Sequence, residues 1–136
     1  MSVRGLAHVG AVVADLGPVA ELFGERLGLE VRGPEEEPEL GLAVLWVQAG
    51  DTTLEFVAPT RPDSRAAKAL ERGEGGIHHV ALAVDGLDEL LAQLDGAGVP
   101  IRDREPRLGA HGSRVSFLDP AAASGALVEL VEPHGA

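Results

Sequence analysis

Gly75-Gly76-Ile77-His78-His79-Val80-Ala81-Leu82-Ala83-Val84-Asp85 sets two histidines at the head of an apolar run that ends on an aspartate. Leu6-Ala7-His8-Val9-Gly10-Ala11-Val12-Val13-Ala14-Asp15 has the same plan, again with a histidine early and an aspartate last. A helix-like segment follows each run. Each half of the chain then closes on a strand with a glutamate in its middle: Thr53 to Val57 around Glu55, and Ala126 to Val131 around Glu129. The separations are close, 47 residues from His8 to Glu55 and 50 from His79 to Glu129. The chain reads as one module used twice, contributing a His and a Glu each time.

Working outward, Leu6 to Val13 is rich in Val and Ala and reads as a strand covered on both faces. Asp15 is placed to cap a helix that tolerates Pro18 in its first turn and carries Val19, Leu22, Phe23 and Leu27 at helical spacing. Leu29 to Arg32 is a short strand, and the acidic run Gly33 to Glu39 reads as a solvated loop. Leu42 to Ala49 and Thr52 to Ala58 form a hairpin about Gly50-Asp51. Alternation in the second of these puts Thr53, Glu55 and Val57 on one face, and Leu54 and Phe56 on the other. Asp63 or Ser64 caps a short helix that ends at Gly73.

In the second half, Asp85 is placed to cap a helix carrying Leu87, Leu90, Leu91 and Leu94, the strongest helical pattern in the chain. Val99 to Arg102 reads as a short strand and Arg107 to Gly112 as a loop. Arg114 to Leu118 and Ala126 to Val131 are strands, joined by a small-residue turn. Each half thus reads strand, helix, strand, strand, strand. The expected organisation is a single domain over residues 1–136, with module 1 at about 5–59, a connecting helix at about 63–73 and module 2 at about 76–133.

Composition limits what such a domain can do. With 136 residues and 45% hydrophobic content it can bury a sizeable core, whereas a half-domain alone would be marginal. There is no cysteine, so thiolate metal sites, disulfides and cysteine nucleophiles are excluded. A net charge of −11 argues against nucleic acid as a partner. The start of the chain lacks a leader pattern and no apolar run suits a membrane span, so a cytoplasmic protein with no membrane partner is expected. Against the acidic background, Arg102, Arg104, Arg107 and Arg114 make a local positive patch, which reads either as scattered charge on a solvated loop or as a dock for an anionic small molecule.

A single strand histidine is ordinarily structural, and a mid-strand glutamate ordinarily sits at an edge. Repetition singles out these four residues, because two His and two Glu form a nitrogen and oxygen donor set for a divalent ion such as Co, Mn, Zn or Ni. Four such ligands leave two positions on a six-coordinate ion, enough for a substrate that chelates through two oxygens. Of the two adjacent histidines, counting back from Val84 and Val13 favours His79 as the counterpart of His8.

These stretches, with Thr53 to Pro59, Asp63-Ser64, Glu105 to Gly112 and Gly125 to Leu130, resemble the vicinal oxygen chelate superfamily and, within it, the methylmalonyl-CoA epimerase family. The Gly-Ala-His-Gly loop at 109–112 and Gly76-Ile77-His78-His79 are the specific parts of the likeness. The resemblance implies an α+β, glyoxalase-like fold, in which two βαβββ modules in tandem form a half-open mixed β-barrel around a metal site, with homodimers common. It assigns the metal to His8, Glu55, His79 and Glu129.

The reaction it implies is interconversion of (R)- and (S)-methylmalonyl-CoA through α-proton abstraction and enolate stabilisation. Glu129 would then be the base. His111 or a metal-bound water is a candidate second acid or base, since strand Leu42 to Trp46 holds no ionisable residue. Gly109, Ala110, His111, Gly112, Arg107 and Arg114 would meet the acyl-CoA. Where many relatives carry His-Pro-Lys, this chain has Asp119-Pro120-Ala121. A glyoxalase-type isomerase or lyase, a dioxygenase and a non-catalytic binding protein are the alternatives. With 3% aromatic residues, the chain is poorly suited to the last.

Overall fold

The computed structural model describes residues 2–135. The chain divides into two units, residues 8–78 and residues 2–7 with 79–135, so that the first strand, β1 (Ser2–Val12), belongs to both.

In the unit of residues 8–78, β1 is followed by a helix α1 (Gly17–Ala20) that runs on as a wider π-type turn over Glu21–Arg26. Then come β2 (Glu30–Glu37), β3 (Leu42–Ala49), β4 (Thr52–Pro59) and α2 (Arg65–Glu71). The strand order is β2-β3-β4-β1, with β1 and β4 parallel and the other neighbours antiparallel. Asp15, expected to cap the first helix, stands one residue before its N-cap, Leu16, and accepts a hydrogen bond from the Gly17 N–H at 3.1 Å. Phe56 of β4 meets Phe23 with ring centroids 5.3 Å apart, so the helix covers the face of β4 opposite to Glu55. Ser64 caps α2 by accepting from the Ala67 N–H, and that helix buries Ala66 and Ala69 against Val12.

In the other unit the elements are β5 (Gly76–Asp85), α3 (Leu87–Gly96), β6 (Arg107–Leu108), β7 (Arg114–Phe117) and β8 (Val128–Glu132). Strand order β5-β8-β7-β6 repeats the plan of the first module, with β5 and β8 parallel. The leucine stripe of α3 is buried as its spacing requires, with Leu87 and Leu91 packed on Val84 and Leu130. Each such leucine contributes about 1.5–3 kcal/mol of hydrophobic stabilisation. Among the described residues, no helix is long and apolar enough to cross a membrane.

The fold is α+β and built from two βαβββ modules, as expected, but three local readings need correction. The acidic run after Arg32 is not a loop. β2 continues to Glu37, with a register shift between Arg32 and Glu35, because Glu35, Glu36 and Glu37 pair with Val44, Ala43 and Leu42. Charge and a proline are compatible with an edge strand, whose outer side faces water. Val99 to Arg102 makes only a single bridge, Ile101 to Leu118, while Arg107 and Leu108, expected in a loop, pair with β7. Asp85 does not cap α3: its carboxylate accepts from Ser2 and Arg4 at the start of β1.

The cap of α3 comes from far along the chain instead. Gly86 takes the N-cap position in the left-handed conformation, and Glu132 Oε2 accepts from the Leu87 N–H at 2.9 Å. Arg114 braces this junction, donating to Asp88 at 2.8 and 3.0 Å and to Glu132 at 3.1 Å. The Arg114 hydrogen bonds hold the Asp88 carboxyl below its usual range, and the two acids hold the Arg114 guanidinium above its own. A carboxyl depressed on folding stabilises the native state above its unfolded value of about 3.9 and loses that contribution as pH falls through the lower folded value. Asp88→Asn should therefore lower the thermal midpoint near neutral pH, and the gap to the wild type should close in strong acid. Circular dichroism melts across this range would show it, and a gap independent of pH would remove the ion pair from the account.

Candidate functional site

Strand register places the four candidate ligands by one rule in both modules. Glu55 lies opposite Gly10 across the parallel β1–β4 pair, and His8 stands two residues before Gly10. Glu129 lies opposite Ala81 across β5–β8, and His79 stands two residues before Ala81. A step of two keeps side chains on one face of a strand, so each histidine shares a face with its partner glutamate. His79 therefore occupies the place that His8 holds, while His78 points to the other face and acts electrostatically on Glu74.

The side chains meet accordingly. His8 Nε2 is 4.0 Å from Glu55 Oε2, with the two side chains 16% and 23% exposed. His79 Nε2 is 3.4 Å from Glu129 Oε1, with exposures of 12% and 10%. Glu129 is among the buried polar residues of the chain, and such a carboxylate is costly to fold away from water without a cation or donors nearby. A nitrogen and an oxygen that share one ion at about 2.0–2.2 Å cannot lie more than ~4.2 Å apart. Both His–Glu pairs satisfy that limit, and their donor types suit a divalent transition metal.

Two aromatic residues that the sequence pattern does not single out support these pairs. Trp46 of β3 lies opposite Glu55 across the β3–β4 hairpin, and its indole N–H donates to Glu55 Oε2 at 3.3 Å. Phe117 of β7 lies opposite Glu129, and its ring meets the His79 imidazole edge to face at 5.3 Å. The signal available in the sequence is hairpin arithmetic. Once Gly50-Asp51 is taken as the turn, Trp46 must face Glu55.

The loop carrying Gly109, Ala110, His111 and Gly112 is a tight turn with an exposed imidazole. His111 adopts φ 56°, and the Gly109 N–H donates to the Ser113 carbonyl at 2.8 Å. A Cβ on Gly109 would come within 2.6 Å of Ser113 Oγ and 2.7 Å of a Val115 methyl, so this position must be glycine. Of the arginine patch, Arg107 pairs with Asp103 at 3.2 Å, Arg104 with Asp95 at 2.8 Å, and Arg114 with Asp88 and Glu132. The guanidinium groups of Arg102 and Arg107 also stand 5.9 and 6.0 Å from the Phe117 ring centre. The positive patch thus reaches the residue that packs on His79.

The chain has relatives among known proteins. It is 37% identical over 126 residues to the mitochondrial methylmalonyl-CoA epimerase of Bos taurus, covering 92% of this chain and 72% of that protein. A hypothetical protein of Bacillus halodurans C-125 superposes with a TM-score of 0.91 at 30% identity, covering 100% of this chain and 98% of that one. A variant of Streptomyces coelicolor methylmalonyl-CoA epimerase, solved in complex with 2-nitronate-propionyl-CoA, superposes with a TM-score of 0.87 at 31% identity over 98% and 97% of the two chains. Residues 7–117 match the sequence profile of the Glyoxalase/Bleomycin resistance protein/Dioxygenase superfamily. The chain belongs to that superfamily and, within it, is closely related to the methylmalonyl-CoA epimerases.

Proposed function

We propose that this protein is a metal-dependent epimerase that interconverts (R)- and (S)-methylmalonyl-CoA. The proton α to the thioester is taken on one face and returned on the other. The observation that carries the proposal is the His–Glu pair built twice at one register, each with a nitrogen and an oxygen close enough to share an ion. His8, Glu55, His79 and Glu129 would together hold that ion, and Co, Mn, Zn and Ni all accept such ligands. When bound, the ion supplies positive charge to the thioester oxygen as enolate character develops there.

In this proposal Glu129 takes the proton. The Cα–H bond breaks, its electron pair moves toward the thioester oxygen, and the carboxylate becomes a carboxylic acid. Positioned acid–base groups of this kind typically contribute about 10²–10⁴ in rate. Return on the opposite face needs a second group, and His111 is assigned to it as a general acid–base side chain. Gly109 sets the turn through its bond to Ser113, and Ala110 and Gly112 let backbone amides approach the acyl-CoA. Arg107, exposed beside that loop, would be the principal contact to its anionic groups, because Arg114 already gives three N–H groups to Asp88 and Glu132.

The test is exchange of the α-proton of methylmalonyl-CoA in deuterated buffer, followed by NMR with metal-stripped and metal-restored protein. Exchange that appears only with the ion is expected. No exchange from protein with the ion verifiably bound would overturn the substrate assignment and direct the search to other substrates that chelate through two oxygens.

A further inference from the structure

Each candidate glutamate faces an aromatic residue across its hairpin, but the two aromatics differ in chemistry. Trp46 and Phe117 hold the same register position in their modules, opposite Glu55 and Glu129 respectively. Trp46 is 7% exposed, so its indole has little freedom to move. Its N–H reaches Glu55 Oε2, which is also the carboxylate oxygen paired with His8. A phenyl ring has no N–H to offer Glu129.

We propose that Trp46 is a positioning residue for the metal centre: its indole N–H fixes the Glu55 carboxylate so that Oε2 stays turned toward His8. The proposal rests on the metal-site reading of His8 and Glu55. A carboxylate rotates about its terminal bond over a broad, roughly two-fold range. One donor on one oxygen removes that freedom and draws off part of the oxygen's charge. Glu55 thereby becomes a restrained and moderated ligand. The modules are thus repeats in backbone and unlike in the residue that faces each glutamate, Trp46 in one and Phe117 in the other. Trp46 touches neither substrate nor ion in this role; it acts through Glu55.

Trp46 is the single tryptophan of the chain, which makes the proposal directly measurable. In ¹⁵N-labelled protein the indole N–H gives one cross-peak. Glu55→Ala should move that proton upfield through loss of the bond to the carboxylate, and Zn²⁺ added to the stripped wild type should shift it as well. Co²⁺ titration of stripped protein should show Trp46→Phe binding about 10–100-fold more weakly than wild type, the usual cost of removing a ligand's supporting contact. Its visible Co²⁺ absorption bands should also be displaced, an effect that lost packing alone would not produce.

A wild-type protein that binds neither ion would overturn the metal-site reading, and this proposal with it. Wild type and Trp46→Phe with equal affinity and superimposable Co²⁺ spectra would overturn this proposal alone. So would an indole resonance unmoved in Glu55→Ala, a result obtained even if Trp46→Phe fails to fold.

Discussion

Glu129→Gln should lower the rate of α-proton exchange on methylmalonyl-CoA by about 10²–10⁴-fold, the range expected when a positioned acid–base group is lost. Glu55→Gln should cost no more than about tenfold, the low end for changes around a metal ligand. The contrast follows from what surrounds each carboxylate. Glu129 is buried on β8, and one of its oxygens faces the His79 imidazole at 3.4 Å. Glutamine fills the same volume there but cannot take a proton. Glu55 has one oxygen bonded by the Trp46 N–H, and a glutamine oxygen can accept that bond and still face His8. Steady-state turnover and solvent exchange should fall together in Glu129→Gln, because the missing group acts in the chemical step. If Glu55→Gln is instead the crippled variant, the roles of the two glutamates are reversed.

The asymmetry between the two glutamates was out of reach of the sequence, although the repeat that pairs them was not. The repeat is legible because a β-strand makes side-chain direction periodic, so that a histidine, a glutamate and their spacing reveal a shared face. The Ser64 cap and the leucine stripe of α3 are legible for the same reason: both are local. The misread segments depend on distant partners. Pairing with β3 makes a strand of the acidic run at Glu35 to Glu37, whose composition alone describes a solvated loop. Asp85 has the chemistry of a helix cap, but Ser2 and Arg4, more than eighty residues away, take its carboxylate, and Glu132 takes the helix N–H. Trp46 falls in between: its side chain looks like ordinary core until the register sets it against Glu55.

Metal binding should also raise the thermal midpoint of the stripped protein by about 10 °C at a free Zn²⁺ or Co²⁺ concentration one hundred times Kd. Binding to the native state alone at that concentration stabilises it by about 2.7 kcal/mol, and a chain of this size shifts its midpoint by roughly 3–5 °C per kcal/mol. The effect has a local cause in the buried Glu129 carboxylate beside His79, whose charge a cation offsets where water does not reach. The same measurement decides whether one ion engages both modules. If His8 and Glu55 act jointly with His79 and Glu129, then His8→Ala and His79→Ala should each remove most of the midpoint shift, although they lie in different modules. Were each pair to bind an ion of its own, either substitution would leave about half of the stabilisation, and the two losses would add when combined, as they do for independent sites. A non-additive loss would make the metal the element that couples the repeats, which explains why the two modules keep matched His–Glu pairs while their loops, caps and aromatic supports diverge.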